Sequence, residues 1–536
     1  MKHIHKIFAF AAAACLLLAL NSCSDDFLQR DSLSAVSATT FWKTPTDALN
    51  GLAACYDGLQ SVDVYDGGPW GIGPINTDCM TDDGGHFNWS VWMRGYDVVN
   101  GTSSTSNSCS SRFWSAYYEV IKRCNALIAN IGNCEGLPEE TLKQYIAEAK
   151  VLRSFMYLNL TSTFQDVPYL TEPLTIETAK VSKNPKSEIV PKLIAELTEA
   201  ANALPVQAPA LGRITKGAAL AILGRVYLYN AMWSDAAKTY EQIINLGCYG
   251  LFPDYTTLFC ADNEACNEIV FSVRYTGPGQ SEGGQFNAHW NTPLEALNGT
   301  IDLADAFYQL DGTPYPNRDD VGEWKADGTI DIDKPNPARY ENRDPRLKTT
   351  LWVPGMTWGP RNKGIYTTGD VYGGAAASYS TIYVNKYFDG NDTSNSWDGG
   401  DDFYIVRYAE VLLSLAEAYV EQGTNLDKAV QLVDQVRARV GMPKVEDVEK
   451  ATTQAALRDV VRHERRVELA FEGVRMYDMY RWHTIEEQVN KIMAEKAKYG
   501  FWYEDRFYRG EKDYVWPIPQ KEIDANENLV QHDLWK

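Results

Sequence analysis

The stretch ALAILGRVYLYNAMWSDAAKTYEQIINLG, residues 219–247, contains two helical patterns on either side of a short turn. Gly224 and Tyr227 lie on the first pattern. Ala236 follows the glycine by twelve residues, and Tyr240 comes four residues later. These spacings are typical of a tetratricopeptide repeat, in which small residues let two helices cross closely. The stretch therefore predicts a packed pair of helices.

Two further stretches have a related pattern. In YAEVLLSLAEAYVEQGTNLDKAVQLVDQVRAR, residues 408–439, Ala416 and Tyr419 fill first-helix positions, and Ala429, Val433 and Val436 fill second-helix positions, with one extra residue in the turn. A more degenerate pair consists of AEAKVLRSFMYLNL and SEIVPKLIAELTEA. Because three such pairs can bury a continuous core, we expect an all-α, tetratricopeptide-like scaffold.

Between the helical patterns the composition changes to glycine, asparagine, aspartate, proline and aromatic residues. We expect one domain, 41–536, with an initial helical segment at 41–60 and the other helices at about 113–164, 186–246 and 403–498. The first insertion, about 61–112, and the second insertion, about 274–402, are predicted to be long irregular loops on the ligand side. Short apolar runs such as EIVFSVRY, residues 268–275, predict a few short strands.

The N-terminus has the pattern of an exported lipoprotein. Lys2 and Lys6 precede an apolar run that is too short to span a bilayer, and LALNSCSDDF follows it. The Leu-Asn-Ser-Cys junction resembles a bacterial lipobox, which predicts a signal peptide at 1–22, lipidation of Cys23 and a tether at 23–40. The alternative is an ordinary signal cleaved a few residues later, with Cys23 as a plain thiol.

Charge and motifs exclude several classes of function. A net charge of −21 argues against nucleic-acid partners. The sequence contains no G-x-S-x-G, H-E-x-x-H, Walker or C-x-x-C motif, and its histidines lack metal-ligand spacing. We therefore predict no cofactor, no metal and no catalytic residue. Cys260 with Cys266, or Cys124 with Cys134, could form disulfides, with buried thiols as the alternative.

Glu464 and Glu468 form the one arrangement that could suggest catalysis. They lie four residues apart on an otherwise apolar helical face, near the separation of a glycosidase pair. Six arginines crowd the same segment, and arginines keep carboxylates ionised. We therefore interpret the pair as part of a structural ion network.

Aromatic residues in the two insertions are the stronger signal. The peptide TDDGGHFNWSVWMRGYD, residues 81–97, combines rings with carboxylates and an amide. Flat rings can stack on the C–H face of a sugar while polar neighbours bind its hydroxyls. The alternative is that most rings anchor the loops. The candidate ligand-binding residues are Asp82, Asp83, Asn88, Trp89, Trp92, Tyr96, Trp290, Trp324 and Trp358.

Several strings together resemble the SusD/RagB family of surface nutrient-binding lipoproteins. They are ENRDPRL (341–347), RYAEVLLSLAEAY (407–419), ERRVELAFEGVRMYDMYRW (464–482) and YVWPIPQKEIDANENL (514–529). We interpret ENRDPRL as a rigid charged turn rather than a site, and expect Trp516 and Ile518 to dock on the helices. The resemblance runs nearly from Cys23 to the C-terminus.

The resemblance implies a SusD-like fold and a non-enzymatic protein. It implies lipid anchoring on the outer membrane with exposure at the cell surface, and a SusC-like TonB-dependent transporter as partner. The ligand would be an oligosaccharide or polysaccharide, less often a peptide. Two alternatives remain open: a secreted helical glycoside hydrolase using Glu464 and Glu468, and a scaffold whose repeat helices dock proteins.

Overall fold

A computed structural model describes most of the chain after residue 40. It covers residues 41–66, 71–86, 95–106, 108–277, 279, 283–285, 297–316, 319–356, 381–387, 398–501 and 504–536. The predicted signal peptide, Cys23 and the tether lie outside the described residues. No helix in the described part is long and apolar enough to cross a bilayer.

Helices make up most of the described chain. In chain order they are α1 (Pro45–Asp57), α2 (Pro74–Asp78), α3 (Tyr96–Val99), α4 (Ser108–Asn130), α5 (Glu139–Thr163), α6 (Lys186–Ala203), α7 (Lys216–Tyr229), α8 (Trp233–Asn245), α9 (Ile301–Ala306), α10 (Arg346–Thr350), α11 (Tyr408–Gln422), α12 (Leu426–Arg439), α13 (Val445–Val448), α14 (Gln454–Leu469), α15 (Arg475–Trp482), α16 (Ile485–Tyr499) and α17 (Gln520–Ala525). The prediction of a mainly helical scaffold is confirmed.

Local sequence determines where α1 begins. Pro45 occupies the first helical turn, where its missing N–H costs nothing. Thr44 Oγ1 accepts a hydrogen bond from the Asp47 N–H at 3.2 Å, and Asp47 Oδ2 accepts one from the Thr44 N–H at 2.8 Å. This reciprocal capping box satisfies backbone donors that the helix cannot satisfy itself.

The helix pair predicted from residues 219–247 is α7 and α8, and a close crossing holds it together. A Cβ atom added at Gly224 would lie 2.7 Å from the Tyr240 ring. Tyr240 is 1% exposed. The glycine therefore allows the tyrosine to lie directly on the backbone of α7. Helices α11 and α12 form the second predicted pair, and α5 and α6 form the third, in which Arg153 Nη2 lies 2.6 Å from Glu196 Oε1.

Strands are short. They are β1 (Gly84–His86), β2 (Ile269–Val273), β3 (Leu297–Gly299), β4 (Gly322–Trp324), β5 (Ile330–Pro335), β6 (Leu351–Trp352), β7 (Tyr383–Val384) and β8 (Phe403–Arg407). In the described residues they form a four-stranded antiparallel sheet, β1-β3-β7-β6, and two antiparallel pairs, β2-β8 and β4-β5. The strand predicted in EIVFSVRY is confirmed as β2.

One predicted boundary is wrong. The sequence predicts a helical stretch from about residue 403 to 498. Residues 403–407 instead form β8, and α11 begins at Tyr408. The run FYIVR is rich in β-branched and aromatic residues and is buried throughout. Antiparallel pairing with β2 holds these residues in a strand. Because β2 lies more than a hundred residues away in sequence, local periodicity does not reveal the pairing. The insertions also contain more regular structure than expected, including α2, α3 and β1 in the first.

Neither predicted cysteine pair forms a disulfide bond. Cys124 is fully buried, and its thiol contacts that of Cys55 on α1, not that of Cys134. Burial, together with the neighbouring thiol, raises the pKa of Cys124 well above its ordinary value. A buried, protonated thiol behaves as a small apolar side chain.

Candidate functional site

The two insertions meet in the four-stranded sheet. β1 belongs to the first insertion, and β3, β7 and β6 belong to the second. Gly84 pairs with Gly299 and His86 pairs with Leu297. At the far end, Trp352 pairs with Tyr383, and both side chains are buried. The insertions are therefore one connected structure, and these last two rings anchor it.

Asp82 and Asp83 lie inside this structure and tie the first insertion to the C-terminal helices. Arg466 Nε on α14 lies 2.6 Å from Asp83 Oδ1, and Arg475 Nη2 on α15 lies 2.8 Å from Asp82 Oδ2. Arg466 Nη1 also lies 2.8 Å from Asp302 Oδ2 on α9. Both predicted carboxylates thus have partners within the protein, and their contact with ligand stays a prediction.

The pKa values of the aspartates in this region are shifted in different directions. Burial opposes ionisation of Asp82, but the Arg466 and Arg475 charges outweigh it and hold its pKa below the ordinary value. Burial raises the pKa of Asp83, helped by the neighbouring Asp82 charge and opposed by Arg466. Burial and the Asp83 charge raise the pKa of Asp78 well above normal, although the backbone N–H groups of Gly473 and Arg475 donate to its carboxylate. These aspartates therefore serve to stabilise the fold, and none of the three is exposed to solvent.

Trp324 is the candidate ring that the structure describes in most detail. Its side chain is 45% exposed, and its ring centroid lies 6.1 Å from that of Tyr499 at the end of α16. The indole Nε1–H donates to the Asp319 carbonyl oxygen at 3.2 Å. Lys498 Nζ forms an ion pair with the Asp319 carboxylate. A partly exposed indole is therefore held in place beside charged and hydroxyl-bearing neighbours.

The hairpin that carries Trp324 is determined by its turn. Gly328 has a φ of +84°, a conformation that favours glycine. The Lys325 N–H donates to the Thr329 carbonyl at 2.8 Å, and Asp327 Oδ1 accepts from the Thr329 N–H at 3.0 Å. Asp-Gly is a typical sequence for a short turn between antiparallel strands. The ring therefore stands on a defined element, β4, rather than on an irregular loop.

The other candidates divide into two groups. Tyr96 begins α3 and is partly exposed, on the first insertion, whereas Trp324 lies on the β4-β5 hairpin against α16. The described contacts of Trp324 are with Tyr499 and Asp319 and do not include Tyr96, Asp82 or Asp83. The remaining candidates lie outside the described residues: Cys23, Asn88, Trp89, Trp92, Trp290 and Trp358.

Glu464 and Glu468 belong to a buried ion network, as predicted. Arg346 Nη1 lies 2.6 Å from Glu464 Oε1 and 2.9 Å from Glu468 Oε2. Arg407 Nη1 lies 2.5 Å from Glu468 Oε1. Burial opposes the ionised form of Glu468, yet Arg439, Arg407 and Arg346 hold its pKa well below normal. A general acid needs a raised pKa and access to substrate, and this glutamate has neither.

ENRDPRL supplies part of that network. Arg346 from this string bridges the two glutamates, and Asp344 Oδ2 lies 2.6 Å from Arg346 Nη2. Arg343 donates to the carbonyl oxygens of Phe307 and Ala304, at 2.5 and 2.7 Å from Nη2. The string is therefore a structural element, as interpreted, and the charges of Arg343, Asp344 and Arg346 are buried in the core.

Sequence reasoning did not select Tyr499 as a site residue. Tyr499 lies after the last predicted helical stretch and outside both insertions. Candidate rings were restricted to the two insertions, and this restriction excluded Tyr499. The available signal was the aromatic-rich run YGFWYEDRFY, residues 499–508, directly after α16. Within the described residues, no cluster of three histidine, cysteine or acidic side chains could hold a metal ion.

Comparisons with known proteins agree with this architecture. Residues 267–535 match the model of the SusD family, and residues 26–228 match a model described as starch-binding and associating with the outer membrane. A SusD-like protein of Formosa agariphila is 26% identical over 528 residues, covering 97% of each chain.

Solved structures give the same result. A SusD-like carbohydrate-binding protein from Bacteroides fragilis is 27% identical, with a TM-score of 0.74, and the match covers 92% of this chain and 100% of that one. A laminarin-binding SusD-like protein shares the fold, with a TM-score of 0.68 at 24% identity and coverage of 92% and 100%. The family model, the full-length relative and the shared fold establish that the chain belongs to the SusD family.

Proposed function

We propose that the chain is a surface-exposed, lipid-anchored protein that captures glycans and delivers them to a SusC-like TonB-dependent transporter. Glycan binding is supported by the carbohydrate-binding relative in Bacteroides fragilis and by the starch-binding family model. Outer-membrane association is supported by the description of that same model. Lipidation at Cys23 and the transporter partner rest on the lipobox and on the family resemblance.

The observation that carries the proposal is the exposed indole of Trp324. Its tilted ring contact with Tyr499 and its hydrogen bond to Asp319 fix the ring before any ligand arrives. A preorganised aromatic surface binds a sugar face without a large ordering cost. The side chains of Asp319 and Lys498 lie beside it and can exchange water for sugar hydroxyls.

Stacking on a few rings predicts modest affinity. A Kd of about 10 μM to 1 mM, or roughly −4 to −7 kcal/mol, suits a protein that must also release its cargo. Non-enzymatic capture also requires that the glycan remains intact. The ion-paired state of Glu464 and Glu468 favours capture over hydrolysis.

Exchanging Trp324 for alanine tests the proposal directly. On a panel that includes soluble starch and laminarin, we expect the wild-type protein to retain at least one polysaccharide without releasing sugar. Trp324→Ala should weaken that retention roughly fivefold to tenfold, since an aromatic contact contributes about 1 kcal/mol. Isothermal titration and reducing-sugar assays measure the two quantities.

Trp233→Ala is the matched control, because Trp233 is a partly exposed tryptophan on α8 of the repeat scaffold. It should bind as the wild type does. Equal weakening by both substitutions would contradict a site at Trp324. Release of sugar would favour the hydrolase, and no retention of any glycan would favour a scaffold or a peptide-binding member of the fold.

A further inference from the structure

Residues 504–507 contact two parts of the first insertion, residues 79–86 and residues 95–99. Glu504 and Arg506 are 6% and 4% exposed, so their charges are enclosed by protein. They follow α16 by only a few residues, but Arg506 contacts a segment more than four hundred residues earlier. A buried charge pair so placed needs an explanation beyond surface solubility.

The Arg506 side chain holds residues 79–84 of the first insertion by binding their backbone carbonyls. Its Nη2 donates to the carbonyl oxygens of Gly84 at 2.6 Å and Cys79 at 3.2 Å, and its Nη1 donates to that of Thr81. Glu504 Oε1 accepts from Arg506 Nε at 3.1 Å and from Nη2 at 2.6 Å, which fixes the guanidinium. One planar fork therefore satisfies three carbonyls around the start of β1.

Residues 95–99 of the first insertion are held by the same segment, residues 504–507. The Phe507 N–H donates to the Val99 carbonyl oxygen at 3.0 Å, at the end of α3. Residues 79–86 and 95–99 also pack against each other: a Cβ added at Gly95 would lie 2.3 Å from Met80 Sδ. Gly95 has a φ of +92° and directly precedes Tyr96, the described candidate ring of this insertion.

We propose that Arg506 is a positioning residue for the glycan site, acting through the backbone of residues 79–86 and 95–99. This rests on the proposed function, and it extends the ligand surface from Trp324 to Tyr96 of the first insertion. The Glu504–Arg506 pair fixes residues 79–84 while the adjacent Phe507 N–H holds Val99, and together these contacts set the position of Tyr96 relative to β1. Arg506 itself is buried behind the insertion and does not touch ligand.

Lysine cannot replace this arginine. An ammonium group is a point donor on a flexible stem, so it cannot span the same carbonyls while pairing with Glu504. Arg506→Met removes the donors at similar length, and Arg506→Lys retains charge without the fork. Glu504→Gln keeps a carbonyl acceptor for Arg506 and should have the mildest effect.

The experiment measures binding and backbone protection together. For Arg506→Met we expect at least tenfold weaker binding of the polysaccharide that the wild type retains, among soluble starch and laminarin. Hydrogen exchange should accelerate at least tenfold in peptides covering residues 79–86 and 95–99, with the repeat helices unchanged. Arg506→Lys should lie between Arg506→Met and the wild type in both measurements.

Arg225→Met is the control, because Arg225 is an equally buried arginine that pairs with Glu410 inside the helical scaffold, 2.6 Å from Nη2 to Oε2. It should lower the unfolding midpoint without changing affinity. Wild-type affinity in Arg506→Met, or weaker binding without faster exchange in these two peptides, would overturn the proposal. Should Arg506→Met not fold, Arg506→Lys and Glu504→Gln apply the same criteria. If the wild-type protein retains no glycan but hydrogen exchange is faster in Arg506→Met, the proposed function is rejected. The positioning of residues 79–86 and 95–99 by Arg506 is then still supported.

Discussion

Gly224 shows how one absent side chain determines a helix crossing. Alanine is the better helix former by about 1 kcal/mol, so helix propensity alone favours its replacement. The added methyl group would nevertheless lie 2.7 Å from the buried ring of Tyr240, which cannot move without disturbing α8. Overpacking of this kind costs about 1 to 3 kcal/mol.

We therefore expect Gly224→Ala to lower the free energy of unfolding by up to about 2 kcal/mol, the cost of overpacking less the gain in helix propensity. Urea denaturation followed by circular dichroism measures this change. Gly132→Ala is the control, because nothing lies within 4 Å of a Cβ built at Gly132. That substitution should change stability by less than about 0.5 kcal/mol. A Gly224→Ala protein as stable as the control would show that the crossing has room to relax.

At the scale of elements, the C-terminal tail behaves as a core element. Trp516 is 3% exposed, and its ring centroid lies 5.2 Å from that of Phe113 on α4. Its backbone N–H donates to the Thr163 carbonyl at the end of α5 at 2.8 Å. Its indole Nε1–H donates to the Tyr480 hydroxyl oxygen on α15 at 2.8 Å. The predicted docking of Trp516 is confirmed.

Two substitutions separate the contributions of Trp516. Trp516→Ala should lower the free energy of unfolding by about 3 to 5 kcal/mol, because it leaves a cavity between α4, α5 and α15. Trp516→Phe keeps a ring and loses the bond to Tyr480, so it should cost about 1 to 2 kcal/mol. Chemical denaturation of both variants gives the comparison. Equal costs would mean that the hydrogen bond, not the packing, fixes the tail.

The elements also show how far sequence reasoning reaches. Spacing predicted the α7-α8 pair because its main contacts are between neighbouring helices. It did not predict β8, since the conformation of Phe403 depends on pairing with Val273, far away in sequence. Composition likewise placed Trp352 and Trp324 in one insertion. Only the fold distinguishes the buried ring, 2% exposed, from the one that is 45% exposed.

At the scale of the whole molecule, buried arginines pair with buried carboxylates inside the core. The chain carries a net charge of −21, yet arginines are among its largest fully buried side chains, including Arg346 and Arg407. Each neutralises glutamates on α14, so the core network holds together helices, β8 and the ENRDPRL string. Removing one member leaves an uncompensated buried charge, whereas a surface pair contributes little.

This network predicts how stability depends on pH. The pKa of Glu468 is well below the ordinary 4.5, because its arginine partners outweigh burial. A group whose folded pKa is lowered stabilises the protein above its unfolded pKa and loses that contribution as pH falls toward the folded value. Glu464 and Glu472 have lowered pKa values for the same reason. Stability should therefore fall steeply below about pH 4.5.

Glu468→Gln isolates one part of this dependence. At pH 7 it should lower the free energy of unfolding by about 3 to 5 kcal/mol, because Arg407 and Arg439 lose a buried partner. As pH falls below about 4.5, the unfolded wild-type chain takes up a proton at Glu468 that the variant cannot, so the difference between the two proteins should narrow. Denaturation midpoints at pH values from 7 to 3 test this. A difference that stays constant over that range would mean that Glu468 titrates alike in both states, and the arginines would then act on the fold through geometry rather than charge.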